Sequence, residues 1–363
     1  MLQLLTNQFF SSKRKPKRKS AKSTELSFES LEGRCMLATF TVTNANDGLV
    51  DSAGDLPGSL RQAIFDANAN DRTDTIVFSS FFDSQRTIDL QSQLPTITDG
   101  LTISGPGRDL LTLDAGNGTD NTFGTNDGYR IFDIDDGDIN TSISVVLSGL
   151  TLTGGDTERD EREFLFPRGE NGDGGAIRSS ESLSLIDSAV IGNASGNFSG
   201  GGGAIFSSGD LVVSGSVITG NMADDDGGGI NSSGSLTVNR SSITGNIARF
   251  NNGGGIFSSG SLTVNQSTIA SNTSGSRGGG INSTGTATIT SSTVSENATE
   301  DETFGGFDGG SGGGIFSSGT LNLVDSTVSG NATGQGGQAY YVIGGEYNGN
   351  IYGGLHPKCR RWW

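Results

Sequence analysis

Residues 227–246 read GGGINSSGSLTVNRSSITGN, and residues 253–272 read GGGIFSSGSLTVNQSTIASN, so one pattern returns after 26 positions. Within each copy, apolar residues alternate with polar ones. Leu236 and Val238 in the first copy correspond to Leu262 and Val264 in the second. Such alternation over a few residues is typical of a β-strand with one buried face. Because neither copy shows the longer 3.6-residue period of a helix, the pattern predicts short strands separated by glycine-rich corners.

The pattern extends over much of the chain with a common period. Two markers repeat together, a GGAI or GGGI element and an Ile/Val-x-x-Asn element. The first ends at Ile177, Ile205, Ile230, Ile256, Ile281 and Ile315, and the second at Asn193, Asn221, Asn246, Asn272, Asn297 and Asn331. Both markers recur after 28, 25, 26, 25 and 34 residues. A repeat of this length containing several short strands predicts an all-β fold, a right-handed parallel β-helix solenoid in which each repeat forms one coil.

Stacking of the coils explains which residue types repeat. Neighbouring strands of a sheet lie about 4.8 Å apart, so equivalent side chains of successive coils form columns along the axis. We therefore expect Ile205, Ile230, Ile256 and Ile281 to be buried in one column. The repeat asparagines are expected to form a ladder of amide–amide hydrogen bonds, and the glycines to occupy corners that need a positive φ.

Departures from the period predict the organisation of the chain. Residues 1–38 are expected to be a disordered basic export or targeting segment, and 39–155 an N-terminal cap with irregular early coils. Within the latter, GSLRQAIFDANA predicts a short helix near Ser59–Ala69, with Ser59 as its N-cap, that covers the open end of the solenoid. Residues 156–173 are predicted to be a polar insertion loop, 174–334 regular repeats of about 25 residues, and 335–363 an atypical C-terminal tail. A further insertion is expected around residues 300–310.

Composition and charge exclude several classes of function. Glycine supplies 59 of the 363 residues, about twice the usual share. Residues 39–363 carry 15 basic and 37 acidic side chains, an acidic body that disfavours nucleic acid as a partner. The single histidine, His356, lies in the tail, so histidine-based catalysis and histidine-rich metal sites are not expected in the folded body. The sequence also lacks a run of about 20 apolar residues, so no transmembrane helix is predicted.

Two acidic clusters are the candidate sites. They are Asp133, Asp135, Asp136 and Asp138 in FDIDDGDIN, and Asp224, Asp225 and Asp226 in NMADDDGGG. Solvated carboxylates at coil corners are the first interpretation, and calcium binding is the second, because calcium prefers clustered oxygen ligands. Catalysis on a polysaccharide is the third, since such enzymes use paired carboxylates. Neither cluster has the Lys, Arg or His partners expected of those enzymes, so we predict no catalytic residue and no cofactor other than possible calcium.

Three stretches resemble known bacterial surface proteins. The alternating GGAI/GGGI and Ile/Val-x-x-Asn elements resemble polymorphic outer membrane protein repeats, with Ile or Val in place of the Phe of their FxxN motif. GSLRQAIFDANANDRTDTIVF and LPTITDGLTISGPG resemble the start of bacterial right-handed parallel β-helix repeat proteins of the choice-of-anchor type. FESLEGRCMLA resembles an LEPR-type amino-terminal motif, with Gly33 where that motif has Pro.

These resemblances imply export and a place at the cell surface, the outer membrane or outside the cell. We therefore expect a surface-exposed or secreted structural and adhesive repeat protein without catalytic activity. Its expected partners are extracellular glycans or neighbouring cell-surface components. An extracellular polysaccharide-active lyase or hydrolase on the same scaffold is the alternative.

Overall fold

A computed structural model describes residues 37–48, 56–69, 72–118, 122–125, 127–157, 172–196, 201–300, 311–334, 340–342 and 347–348. Within these ranges the strands form four sheets, and every strand pair is parallel. The pairs Ile205–Ser207 with Ile230–Ser232 and Leu236–Asn239 with Leu262–Asn265 illustrate this. Most of the predicted export segment and of the LEPR-like motif, His356 and most of both insertions lie outside the described residues.

Sheets I and II contain eleven and nine strands among the described residues. Sheet I contains Thr39–Val42, Asp74–Phe78, Leu101–Ser104, Ser144–Ser148, Ser182–Ile186, Leu211–Ser214, Leu236–Asn239, Leu262–Asn265, Ala287–Thr290, Leu321–Val324 and Tyr347–Asn348. Sheet II contains Arg86–Asp89, Leu111–Asp114, Thr151–Thr153, Ala189–Ile191, Val217–Thr219, Ser242–Thr244, Thr268–Ala270, Thr293–Ser295 and Thr327–Ser329.

Sheets III and IV have strands of two and three residues. Sheet III contains Asp156–Thr157, Ala194–Ser195, Met222–Ala223, Ile247–Ala248, Thr273–Ser274, Ala298–Thr299 and Ala332–Thr333. Sheet IV contains Phe132–Ile134, Ile177–Ser179, Ile205–Ser207, Ile230–Ser232, Ile256–Ser258, Ile281–Ser283, Ile315–Ser317 and Tyr340–Val342. Each regular coil passes through sheets IV, I, II and III in that order, and the next coil begins again at sheet IV. The prediction of a right-handed parallel β-helix is confirmed.

The core consists of the columns that the repeat predicts. Ile205 pairs with Ile230, Ile230 with Ile256, and Ile256 with Ile281, and all four side chains are fully buried. Sheets I and II add their own columns of buried Leu, Ile and Val, so one continuous apolar core runs along the axis. Each coil supplies a few apolar side chains to each column, and this burial is the main stabilising contribution to the stack.

The asparagine ladder is confirmed, and a second polar ladder of serines runs beside it. The Nδ2 of Asn221 donates to the Oδ1 of Asn246 at 2.9 Å, and Asn246 donates to Asn272 in the same way. In the serine ladder, the backbone N–H of each residue donates to the Oγ of the next at 3.1 Å. Its members are Ser188, Ser216, Ser241, Ser267, Ser292 and Ser326. They recur with the same gaps as the asparagines, so the serine ladder could have been predicted from the sequence.

Glycine is needed at one kind of corner but not at another. Gly227, in the first position of its GGGI element, has φ +73°, and a Cβ there would overlap the carbonyl oxygen of Ile230. The corner between sheets I and II also has positive φ, yet Arg240 and Gln266 occupy it with φ 46° and 50°. Glycine is therefore required at the corner before sheet IV, where the left-handed conformation is combined with backbone crowding. It is not required at the corner between sheets I and II.

The predicted capping helix is confirmed as Leu60–Asn68, and the N–H of Gln62 donates to the Oγ of Ser59. Its apolar side packs into the first coil with Leu60 and Ile64 buried. A short 3-10 helix, Ser80–Phe82, lies near the same end of the solenoid. No helix among the described residues is long and apolar enough to cross a membrane.

The two insertions enter and leave the solenoid at one corner. The chain departs after Asp156–Thr157 and again after Ala298–Thr299, both in sheet III, and each time rejoins before a strand of sheet IV. Within the predicted tail, Tyr340–Val342 pairs with Ile315–Ser317 and Tyr347–Asn348 pairs with Leu321–Val324. These tail strands extend sheets IV and I by one strand each.

Candidate functional site

The first candidate cluster begins on sheet IV and continues into the connection to sheet I. Asp133 lies in the strand Phe132–Ile134 and pairs in register with Arg178 of the next coil. The Nη1 of Arg178 lies 3.0 Å from the Oδ1 of Asp133, and the Nη1 of Arg130 lies 3.6 Å from the same oxygen. Arg178 also approaches Asp135, at 3.7 Å. The charge of Asp133 is thus balanced by guanidinium groups.

This arrangement corrects the expectation that the acidic clusters lack basic partners. Arg178 is 45 residues from Asp133 in the chain, and parallel stacking of two coils places the two side chains together. The second cluster has a basic neighbour as well, because the Nη1 of Arg249 lies 3.4 Å from the Oδ1 of Asp224. Both pairs join residues of successive coils.

Three carboxylates of this region lie close together. Asp135, Asp136 and Glu181 each place one carboxylate oxygen within 4.8 Å of the others. Glu181 is buried, and its Oε2 accepts a hydrogen bond from the N–H of Ile143 at 3.0 Å. Convergent carboxylate oxygens are the ligands that a hard cation such as calcium prefers. Asp135, Asp136 and Glu181 are the described residues that could hold such an ion.

The connection between these strands is itself ordered by carboxylates. Asp135 accepts the N–H of Gly137 at 2.9 Å, and Asp136 accepts the N–H of Asp138 at 2.8 Å and the hydroxyl of Thr141 at 2.8 Å. These short-range bonds form successive turns in which each side chain caps the backbone that follows it. They fix the positions of Asp135 and Asp136 opposite Glu181.

Asp138 is exposed and is not part of this group of three carboxylates. Its Oδ1 accepts both the N–H and the Nδ2 of Asn140 at 2.9 Å, and these hydrogen bonds lower the pKa of its carboxyl. The structure therefore separates the first cluster by role. Asp133 pairs with arginines, Asp138 closes a turn, and Asp135 with Asp136 faces Glu181.

The second cluster, Asp224–Asp226, lies at the corner between sheets III and IV. Its three side chains contact different partners of the next coil, Asp224 with Arg249, Asp225 with Asn251 and Asp226 with Asn252. Burial raises the pKa of Asp226, an effect that hydrogen bonds from Asn252 partly oppose. Because each carboxylate has its own partner, this corner resembles a series of coil-to-coil contacts more than a shared site.

The sequence analysis missed Glu181 and Arg178. Both occur in IRSSESLSLI, a segment that carries strand alternation and no acidic or basic run. Alignment of the Phe132–Ile134 strand with Ile177–Ser179 would have found them. The irregular spacing before residue 174 hid that alignment.

Comparisons with known proteins show resemblance at low identity. No known family profile matches the sequence, and no curated protein sequence matches it. Among solved structures, jun a 1, the major allergen from cedar pollen, is similar with a TM-score of 0.33 and 16% identity over 90% of this chain and 82% of that protein. ORF18 of Geobacillus virus E2 is similar with a TM-score of 0.33 and 10% identity over 86% of this chain and 62% of that protein.

Proposed function

We propose that this chain is a surface-exposed or secreted structural and adhesive repeat protein. The observation that carries the proposal is the outward face of sheets I and II. Short polar side chains recur there in register from coil to coil, with Thr237 beside Thr263 on sheet I and Ser242 beside Thr268 on sheet II. Their apolar neighbours in each strand are buried in the core. In these coils the solenoid thus presents a short polar side chain about every 4.8 Å.

Such a face suits weak contact repeated many times. One hydroxyl or amide contributes little to binding. Many such contacts on one rigid body act together, so the avidity of the whole face greatly exceeds the affinity of a single contact. Extracellular glycans and cell-surface components are rich in hydroxyl groups that match these side chains. The resemblance to polymorphic outer membrane protein repeats and to choice-of-anchor β-helix proteins supports the same assignment. The basic segment Lys13–Lys22 and the LEPR-like motif support export.

Cell fractionation combined with protease treatment of intact cells tests this proposal. We expect the chain in the outer-surface or secreted fraction, and we expect added protease to cleave it in whole cells. A cytosolic protein of known abundance serves as the control for cell integrity. Recovery of the whole chain in the cytosol, protected until the cells are lysed, would overturn the assignment.

An extracellular polysaccharide-active lyase or hydrolase is the second candidate, and one observation favours it. Asp135, Asp136 and Glu181 converge beside Arg178, and carboxylates beside a cationic group are the kind of groups that such reactions use. A panel of polysaccharides assayed for new reducing ends or unsaturated products distinguishes the candidates. Product formation that is lost in Glu181→Gln would favour the enzyme. Binding without product formation would favour the adhesive protein.

A further inference from the structure

The outward face of sheet IV differs from those of sheets I and II, because it alternates phenylalanine with asparagine. In the strands Ile205–Ser207, Ile230–Ser232 and Ile256–Ser258 the first and third residues are buried, so the middle residue lies on the outer face. The middle residues of the next two strands, Asn282 and Phe316, are buried. Register places Phe206 beside Asn231 and Asn231 beside Phe257. All three side chains are partly exposed. We call these three residues the aromatic column.

Core packing does not account for the aromatic column. The core at this sheet is filled by the isoleucine column, and phenylalanine on the outer face adds nothing to it. Asn246 and its equivalents already supply the buried amide ladder, so Asn231 is not needed for that role either. The backbone of Gly201 lies directly under the amide of Asn231, where any side chain at position 201 would displace it. The two rings and the amide between them keep part of their surface accessible to a ligand.

The spacing and chemistry of the column fit a sugar chain. Phe206 and Phe257 are two coils apart, about 10 Å along the axis. Aromatic ring faces carry negative charge density and attract the weakly positive C–H groups that line one face of a pyranose ring. The asparagine amide both donates and accepts hydrogen bonds, as sugar hydroxyls do.

The two-coil spacing of the rings limits which glycosidic linkage the bound sugar chain can have. In an extended β-1,4-linked chain, alternate sugars are flipped, so an equivalent ring face returns with every disaccharide, a length comparable to two coil spacings. An α-1,4-linked chain curls and cannot keep that register along a straight column. The 37 acidic and 15 basic residues of 39–363 disfavour an anionic chain.

We propose that the aromatic column binds one chain of a neutral β-1,4-linked polysaccharide lying along the solenoid axis. This inference rests on the proposed adhesive function and adds a second binding face, on sheet IV, with a defined ligand class. Phe206 and Phe257 stack on sugars of successive disaccharides, and Asn231 hydrogen-bonds the hydroxyls between them.

Calorimetric titration of the full chain with cellohexaose and with maltohexaose tests the proposal. We expect cellohexaose to bind at least ten-fold more tightly than maltohexaose. Phe206→Ala and Phe257→Ala should each weaken cellohexaose binding about ten-fold, in the range that stacking of one ring on a planar ligand provides. Phe81→Ala is the matched control, because the exposed ring of Phe81 lies in the 3-10 helix Ser80–Phe82, outside both proposed binding faces, and the affinity of this variant should not change. Melting temperatures of all variants should match that of the parent, since none of these side chains lies in the core.

Several results would overturn the inference and leave the surface assignment intact. They are equal affinity for the two hexasaccharides, absence of binding to either, and unchanged affinity in the Phe206→Ala/Phe257→Ala double variant. Sedimentation tests a competing occupant, a second copy of the chain. Self-association of the parent that the double variant abolishes, without glycan binding, would also contradict the proposal. Failure of the proposed function itself is seen separately, in the protease experiment on whole cells.

Discussion

At the scale of single residues, the buried asparagines satisfy every polar atom of their amides. The Oδ1 of Asn246 accepts the N–H of Asn221 at 3.0 Å and its Nδ2 at 2.9 Å. The Nδ2 of Asn246 donates to the carbonyl of Ile218 at 3.1 Å and to the Oδ1 of Asn272 at 2.9 Å. A buried amide with this complete set of partners links three coils and specifies their register.

Replacement of one ladder residue should therefore be costly. Asn246→Ala leaves the backbone N–H of Asn221 without its acceptor and removes one hydrogen bond each from the Nδ2 of Asn221 and the carbonyl of Ile218. A buried unsatisfied group costs about 1–3 kcal/mol. We expect the free energy of unfolding measured in urea to fall by about 2–4 kcal/mol. Asn239→Ala in the same coil is the control, because Asn239 lies on the outer face of sheet I, and it should change stability by less than about 0.5 kcal/mol. Equal effects of the two substitutions would contradict the role of the ladder.

A second prediction at this scale concerns the partly buried carboxyl of Asp226. Burial raises its pKa, so the folded state favours the protonated form. The stabilisation that comes from protonating Asp226 in the folded state is fully present below the pKa of the unfolded carboxyl, about 3.9. It is lost as pH rises through the raised pKa of the folded state. Asn at this position carries no charge and can still accept both hydrogen bonds from Asn252.

We expect Asp226→Asn to raise the melting temperature at neutral pH and to lose this advantage in acid. Melting curves of variant and parent, recorded at both pH values, measure the difference. Asp224→Asn serves as the control, since Asp224 pairs with Arg249 at the surface. A gain that is independent of pH, or a loss at neutral pH, would contradict the effect of burial on this carboxyl.

At the scale of elements, an ion pair fastens the capping helix to the solenoid. The guanidinium of Arg61 donates to both carboxylate oxygens of Asp47, at 2.7 and 2.8 Å. It also donates to the carbonyls of Ser92 and Gln93 at 2.8 Å, and the side chains of the pair are almost fully buried. The helix covers strands that would otherwise offer an open edge to other chains.

Loss of this pair should release the cap. Arg61→Ala leaves the carboxylate of Asp47 buried without its cation, which costs about 3–5 kcal/mol. We expect early unfolding of the N-terminal end by hydrogen exchange and increased self-association in sedimentation experiments. Arg86→Ala is the control, because Arg86 lies exposed over the ring of Phe81, and it should leave both measurements unchanged. Retained protection of the helix in Arg61→Ala would show that the pair does not hold the cap.

The connection that bears Asp135 and Asp136 leads to a prediction about calcium. If these carboxylates and Glu181 bind the ion, calcium stabilises the folded state by mass action. We expect millimolar calcium to raise the melting temperature, a chelator to reverse the effect, and Asp136→Asn to abolish it. Asp225→Asn, in the second cluster, should preserve the response. An unchanged melting curve with calcium would leave Asp135 and Asp136 as turn residues that bind no ion.

At the scale of the whole molecule, the coil is the unit that can be removed or added. Gly245 and Ser271 both have positive φ and both precede a ladder asparagine, so they occupy equivalent positions. Each coil contacts mainly its two neighbours, and stability is then approximately the sum of coil and interface contributions.

Deletion of residues 246–271 should therefore keep the fold, because it joins Gly245 to Asn272 and leaves every column in register. Deletion of residues 246–258 should unfold the repeats beyond it, because it shifts apolar residues from the core to the surface. Circular dichroism and thermal melting distinguish the two outcomes. Equal behaviour of both deletions would contradict the coil as the structural unit.

The sequence by itself determined the solenoid, its isoleucine column, its asparagine ladder and its capping helix. Each depends on residue types at regular offsets, and a period of about 25 residues carried by two independent markers is visible without coordinates. The serine ladder belongs to the same class, because Ser188 and its successors follow the same gaps. The left-handed corner occupied by Arg240 and Gln266 could not be predicted from residue type, since glycine is the usual residue with positive φ.

Only the tertiary structure decided which distant side chains share a site. Arg178 and Glu181 join Asp133, Asp135 and Asp136 because the strands Phe132–Ile134 and Ile177–Ser179 stack in register. The chain between them does not follow the regular period, so no fixed offset relates these residues. The aromatic column is the opposite case, since its members recur with the period. The register and burial of the sheet IV strands then show that these members share one outer face. A regular period fixes neighbours in the stack, whereas an irregular coil leaves its neighbours to be decided by the packing of the folded chain.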